Sequence, residues 1–207
     1  MSCNELAGRF RSGTGGGHMK KKAKSKSYAV KRPGRPFSLI RVRPAAGNSR
    51  RGWLVTGVTT FPVALGRGGI RANKREGDGA TPRGIFHPRK LWWRADRHPR
   101  PQTHLAVRPI RNEDAWSEDP ADPHYNQPVR RAPGAAGDRL KRDDHLYDFI
   151  VEIDHNAKPR IAGRGSAVFL HLARDNFGPT AGCVSMTKSA MLHLLRRLGP
   201  KTRIVIE

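Results

Sequence analysis

The chain has 207 residues, room for one ordinary domain with a core and an attached tail; 22 glycines, 16 prolines and 36% apolar residues indicate many turns rather than outright disorder. The formal net charge of +23 requires that a polyanionic partner be considered, and it is spread in two parts. Residues 1–50 hold thirteen Lys/Arg against one acid, Glu5, for +12, and residues 51–207 hold twenty-seven against sixteen for +11. No apolar run reaches the roughly 18 residues of a membrane span, and with Cys3 in a basic tail the folded part keeps one thiol, Cys183, and no disulfide framework.

Residues 1–36 are rich in Gly, Lys, Ser and Arg with few core candidates, and read as a flexible basic arm. Within it, residues 12–19 look like an added linker ahead of a natural start at Met19, and no apolar h-region follows the basic stretch, so no signal peptide is visible. The domain is expected over residues 37–207. Residues 37–42 and 52–55 have strand character, and 61–65 follow at hairpin distance. Glycine and charge dominate residues 66–84, a long loop; Ile85-Phe86 and residues 103–107 are further strand candidates, and Trp92-Trp93 core or rim aromatics. Residues 109–145 read as a polar, proline-containing loop without a clear period, and Trp116 and Tyr125 within it favour a functional covering loop. Strands return at 146–153 and 166–172. Thr187 is placed to cap a helix over 188–198, with Met191, Leu194, Leu195 and Leu198 on one face and Gly199-Pro200 as its stop, and residues 203–206 close the chain as a strand. The expected fold is mostly β, a sandwich-like domain with long loops and one late α-helix.

Two residues carry the chemistry. His171 ends an apolar strand, and Cys183 follows the turn Gly178-Pro179-Thr180-Ala181-Gly182 shortly before the helix. A nucleophilic cysteine needs a neighbouring base and a setting that favours thiolate, and a hairpin-like return of twelve residues would bring His171 beside Cys183. Gly182 would let a substrate carbonyl reach backbone N–H groups able to form an oxyanion hole. The residues alone leave open a buried cysteine beside an unrelated strand-end histidine.

The segment resembles the active-site motif of the L,D-transpeptidase (YkuD) family, in which a strand-end His precedes a Ser/Thr-x-Gly-Cys turn. The run Lys74-Arg75-Glu76-Gly77-Asp78-Gly79-Ala80-Thr81-Pro82-Arg83-Gly84 is similar to the family's K-x-G-D-x-x-T-P-x-G loop. Trp116, the run Asp122-Pro123-His124-Tyr125-Asn126, residues 144–148 and residues 163–166 suit a short, single-domain branch. The resemblance spans roughly residues 37–207 and implies a mostly-β sandwich and a cysteine acyltransferase acting on peptidoglycan stem peptides. Cys183 would be the nucleophile, His171 its base and Gly182 part of the catalytic turn. Tyr147, Thr180, Lys74, Arg75, Trp116, Tyr125 and Asn126 are the candidate substrate contacts; Tyr147 reads more readily as packing, and Lys74, Arg75 and Arg83 read equally as a solvated loop. Familiar members have a second His two places before the cysteine and an Arg two places after it, where this chain has Ala181 and Ser185. That departure fits a divergent branch, including one joining the alanine end of a stem peptide to diaminopimelate.

The chemistry requires no cofactor. The nine His and the single domain Cys lack metal-ligand spacing, and Gly77, Gly79 and Gly84 lack the strand-then-helix context of a phosphate cradle. Two rivals stand beside the transpeptidase: a carboxypeptidase or amidase in which water replaces the acceptor amine, and a basic nucleic-acid module, against which the arm's few aromatics and the lack of a reader motif argue. The expected location is the periplasm or cell wall, with the arm held to anionic wall polymer.

Overall fold

The computed structural model describes residues 34–207 apart from 133, 134 and 136. Fifteen strands and one helix follow in chain order: β1 (Leu39–Ala45), β2 (Asn48–Thr56), β3 (Thr59–Ala64), β4 (Ile70–Arg71), β5 (Thr81–Pro82), β6 (Gly84–Phe86), β7 (Pro88–Trp93), β8 (Ala106–Pro109), β9 (Asp114–Trp116), β10 (Pro128–Arg130), β11 (Asp138–Arg139), β12 (Phe149–Ile153), β13 (Phe169–Leu172), β14 (Val184–Met186), α1 (Lys188–Leu195) and β15 (Arg203–Ile206). Among the described residues the fold is mostly β with one late helix, as the sequence predicts. Residues 1–33 of the basic arm lie outside the described residues. The body's contacts reach back to residue 34: the Gly34 carbonyl accepts from His104 Nε2 at 2.8 Å and the Arg35 carbonyl from Arg197 Nε at 2.9 Å.

Ten strands form one sheet in the order β6-β15-β1-β2-β3-β14-β13-β12-β7-β8. The main core lies on one face of it; β1 gives Ile40 and Val42, β12 gives Phe149 and Val151, and α1 gives Met191, Leu194 and Leu195. The helix begins where expected, with Thr187 Oγ1 accepting from the Ala190 N–H at 3.2 Å, and ends one turn early, although Leu198 still reaches the core.

Strands β12, β13 and β14 are buried at every position because both of their faces are covered. In β13, Leu170 and Leu172 enter the main core while Phe169 turns to the opposite face. There a second cluster gathers Trp92, Ile110, Trp116, Leu140, Ile150, Phe169 and Cys183. Its lid is the segment expected to be a loop. Residues 109–145 contain a three-stranded sheet, β10-β9-β11, and Trp116, at its centre, meets Phe169 edge-on with ring centroids 4.9 Å apart. Two further expectations are corrected: the loop over 66–84 contains the parallel pair β4 and β5, and the strand expected at 103–107 begins at Ala106. Trp92 and Trp93 are core aromatics as expected, at the end of β7.

Candidate active site

Strand β13 pairs with β14 in parallel, with Leu170 opposite Val184 and His171 opposite Ser185. The expected hairpin-like return is therefore a crossover: residues 173–183 carry the chain back to the starting end of β13. The parallel register does the work assigned to the hairpin. Leu170, Leu172, Val184 and Met186 all enter the main core, and alternation sends His171 and Cys183 together to the other face. Both line one cavity of about 380 Å³.

The turn before Cys183 is built from its own polar atoms. Thr180 Oγ1 accepts from the Gly182 N–H at 3.1 Å and donates to the Cys183 carbonyl at 2.6 Å. Gly182 has φ +148°, and a Cβ there would lie 2.9 Å from the Ala80 carbonyl oxygen. The Lys74–Gly84 loop is thus the floor beneath the nucleophile's turn. Asp78 holds that loop: its Oδ1 accepts from Lys74 Nζ at 2.7 Å and the Ala80 N–H at 2.8 Å, its Oδ2 from the Arg75 N–H at 2.8 Å. Burial works to raise the Asp78 carboxyl, but Lys74 and the two N–H groups outweigh it and hold the carboxyl below the usual range.

Cys183 and His171 are nearly inaccessible, at 7% and 6% exposure. The thiol donates to the Ala167 carbonyl at 3.1 Å and accepts from the Phe169 N–H at 3.3 Å. His171 Nδ1 donates to the Leu172 carbonyl at 2.8 Å, which leaves Nε2 as the basic nitrogen. Burial pushes the thiol up to about 12 and lowers the imidazole to about 4, Arg142 and Arg174 adding to the second shift. Both shifts favour the neutral forms at rest, a thiol and an imidazole lining one cavity. The sequence expectation of a thiolate-favouring setting is corrected on that point, because loss of water outweighs the neighbouring cations.

The other candidates divide. Tyr147, Thr180 and Lys74 line the cavity. Tyr147 presents its ring edge to His171, centroids 5.4 Å apart, and its hydroxyl donates to Asp138 Oδ2 at 2.6 Å. Burial, ahead of the Asp138 and Cys183 charges, raises the phenol well above its ordinary value, so it stays a donor. The Thr180 hydroxyl and the Lys74 ammonium are both occupied within the turn and loop they stabilise. Arg75 is exposed and lies outside the lining, with only its backbone holding Lys74 and Asp78. Trp116, Tyr125 and Asn126 are buried and do not line the cavity. Trp116 Nε1 donates to Asn126 Oδ1 at 3.0 Å, and the Tyr125 hydroxyl bonds Glu76 and accepts from the Gly165 N–H at 3.0 Å. These three hold the covering segment to the body.

Sequence reasoning missed most of the charge around the cavity. Arg67 and Arg174 stand at the wall formed by the turn: the Arg67 N–H donates to the Thr180 carbonyl at 2.9 Å and Arg174 Nη1 to the Pro179 carbonyl at 3.1 Å. Glu118 and Asp138 come from the three-stranded sheet and its flank on the facing segment. Glu118 keeps surface open at the rim, yet the protein crowded around its carboxyl, ahead of the Asp138 and Glu76 charges, pushes it up to about 7. Arg142 is held by Asp144, with its Nη2 at 2.7 Å from Oδ2. No periodicity or motif links these positions; only Glu76 lies inside the Lys74–Gly84 motif, while Glu118, Asp138 and Arg142 lie in the 109–145 segment, which reads from the sequence as a covering loop without naming them. Ala181 opens onto the cavity and Ser185 is buried in the sheet opposite Ala64, so neither replaces the His and Arg that familiar members carry there.

Among the described residues, no helix is long and apolar enough to cross a membrane. No curated protein matches the chain. The sequence model of the YkuD L,D-transpeptidase catalytic domain matches residues 48–206. That span runs from the first residue of β2 to the last of β15 and contains the Cys183–His171 face, the turn and the loop beneath it, and on this match the chain belongs to the L,D-transpeptidase catalytic-domain family, YkuD.

Proposed function

We propose that the protein crosslinks peptidoglycan stem peptides through a thioester on Cys183. The observation that carries this reading is the shared face of β13 and β14, which sets Cys183 and a His171 with a free Nε2 into one cavity. When a donor stem displaces water, the thiol proton passes to His171 Nε2 and the sulfur attacks the carbonyl of an L-residue. The amide C–N bond breaks, and His171 returns the proton to the departing amine. The amine of a second stem then attacks the thioester, its proton passes by way of His171 to the sulfur, and a new amide forms. The Gly182 N–H is taken by Thr180, so the oxyanion is assigned to the N–H of Cys183 itself. The guanidiniums of Arg67 and Arg174 supply the cations for substrate carboxylates that Ala181 and Ser185 do not. A linkage from L-alanine to diaminopimelate fits the same departure from the usual motif.

The reading is tested by incubating the protein with purified sacculi and analysing the muropeptides by mass spectrometry. New peptide dimers with the wild type and none with Cys183→Ala are expected. Shortened stems without dimers would replace the transferase by a hydrolase on the same fold, and dimers made by Cys183→Ala would end the cysteine mechanism.

A further inference from the structure

The nucleophile's resting hydrogen bond rests on an unusual residue. Ala167, whose carbonyl takes the thiol proton at 3.1 Å, has φ +50°, in the left-handed region. A residue with a Cβ is disfavoured there by about tenfold in population, so something must hold it. The holder is Asn126. Its Oδ1 accepts from the Ala167 N–H at 3.2 Å and from Trp116 Nε1 at 3.0 Å, and its Nδ2 donates to the carbonyls of His155 and Asn156, each at 3.0 Å. Both lone-pair positions and both protons of the amide are used, so the side chain has one orientation and no group left for a substrate.

We infer that Asn126 is a positioning residue for Cys183, acting through the left-handed backbone of Ala167. The covering segment thereby reaches the nucleophile without entering the cavity. If Ala167 relaxed to negative φ its carbonyl would swing away from Sγ, and the thiol would lose the acceptor that fixes its direction relative to His171. The inference rests on the reading of Cys183 as nucleophile.

The experiment compares Asn126→Ala, Ala167→Gly, the double variant and Ala167→Val, measuring kcat and KM for thioester formation on a soluble stem peptide. Asn126→Ala is expected to lower kcat about tenfold with KM unchanged. The double variant should recover most of that loss, because glycine takes φ +50° without penalty. A rise in KM at constant kcat would make Asn126 a substrate contact and overturn the inference, as would a double variant no better than Asn126→Ala. Should Asn126→Ala not fold, Ala167→Val disturbs the same φ with Asn126 in place, and an unchanged kcat in that variant overturns the inference. Alkylation of Cys183 by iodoacetamide needs no substrate and separates this failure from that of the proposed function. If the wild type forms no thioester, the proposed function falls. The positioning then stands or falls on whether Ala167→Val shifts the alkylation profile to lower pH, the thiol proton having lost its acceptor.

Discussion

Because the resting pair is neutral, the pH dependence of Cys183 reactivity separates this site from one built on a preformed thiolate–imidazolium pair. Burial raises the thiol to about 12 and lowers the imidazole to about 4, so at pH 7 roughly one molecule in 10⁵ carries thiolate. An exposed cysteine of ordinary acidity has a few per cent. Iodoacetamide should therefore alkylate Cys183 on the order of 10³-fold more slowly than a free thiol at pH 7, with a rate climbing about tenfold per pH unit past pH 9. The assay is a pH series of alkylation followed by intact mass, with Cys183→Ala as the blank that removes any signal from Cys3. His171→Ala should leave this resting rate within a few fold, since a neutral imidazole lends the thiolate no charge. The same variant should lower thioester formation on a stem peptide by 10²- to 10⁴-fold, the usual contribution of a positioned base. An alkylation rate that is already high and flat between pH 5 and 8 in the wild type, and that collapses in His171→Ala, would refute the neutral pair.

Gly182→Ala would drive a Cβ to 2.9 Å from the Ala80 carbonyl at φ +148°; a loss of about 1–3 kcal/mol in chemical denaturation and of most thioester formation is expected, and a fully active, equally stable variant would remove the need for the tight turn. Removing residues 1–33 should leave turnover on a small stem peptide nearly unchanged while weakening binding to intact sacculi and reducing its salt dependence, since exposed charges are screened over about 10 Å at 0.1 M. Loss of activity on the small peptide would give the arm a place in the active site.

What the sequence shows depends on how local the cause is. The alternation of Ile40 and Val42 with Arg41 and Arg43 announces β1, and Thr187 announces α1, because each element carries its own signal. Strand β7 opens on Pro88-Arg89-Lys90 and becomes a strand through pairing with β12 and β8, and β9, β10 and β11 are two or three residues long, too short for a period. Cys183 and His171 are legible because a thiol after glycine and a histidine at a strand end are rare. Their relation is not, since a Gly- and Pro-containing connection looks the same whether it reverses the chain or carries it back in parallel. The burial of Trp116, Tyr125 and Asn126 is hidden for a related reason. Aromatic and amide side chains in a polar stretch suggest contacts with a ligand, whereas here they fasten that stretch to the body of the domain.

The position of β15 bears on how the chain matures. It lies between β6 and β1, parallel to β1 from the pairing of Leu39 with Arg203 onward, and Glu207 bonds Arg41 and Arg43. During synthesis β1 must wait for β15 to leave the ribosome, and until then β1 and β6 each present an unpaired edge. Such long-range closure is slow and exposes the nascent chain to pairing with its neighbours. Arg41 and Arg43 point outward along that waiting edge, where positive charge discourages another strand from docking. When Glu207 arrives it binds the same two guanidiniums, so side chains that guard the unfinished sheet become the clasp of the finished one.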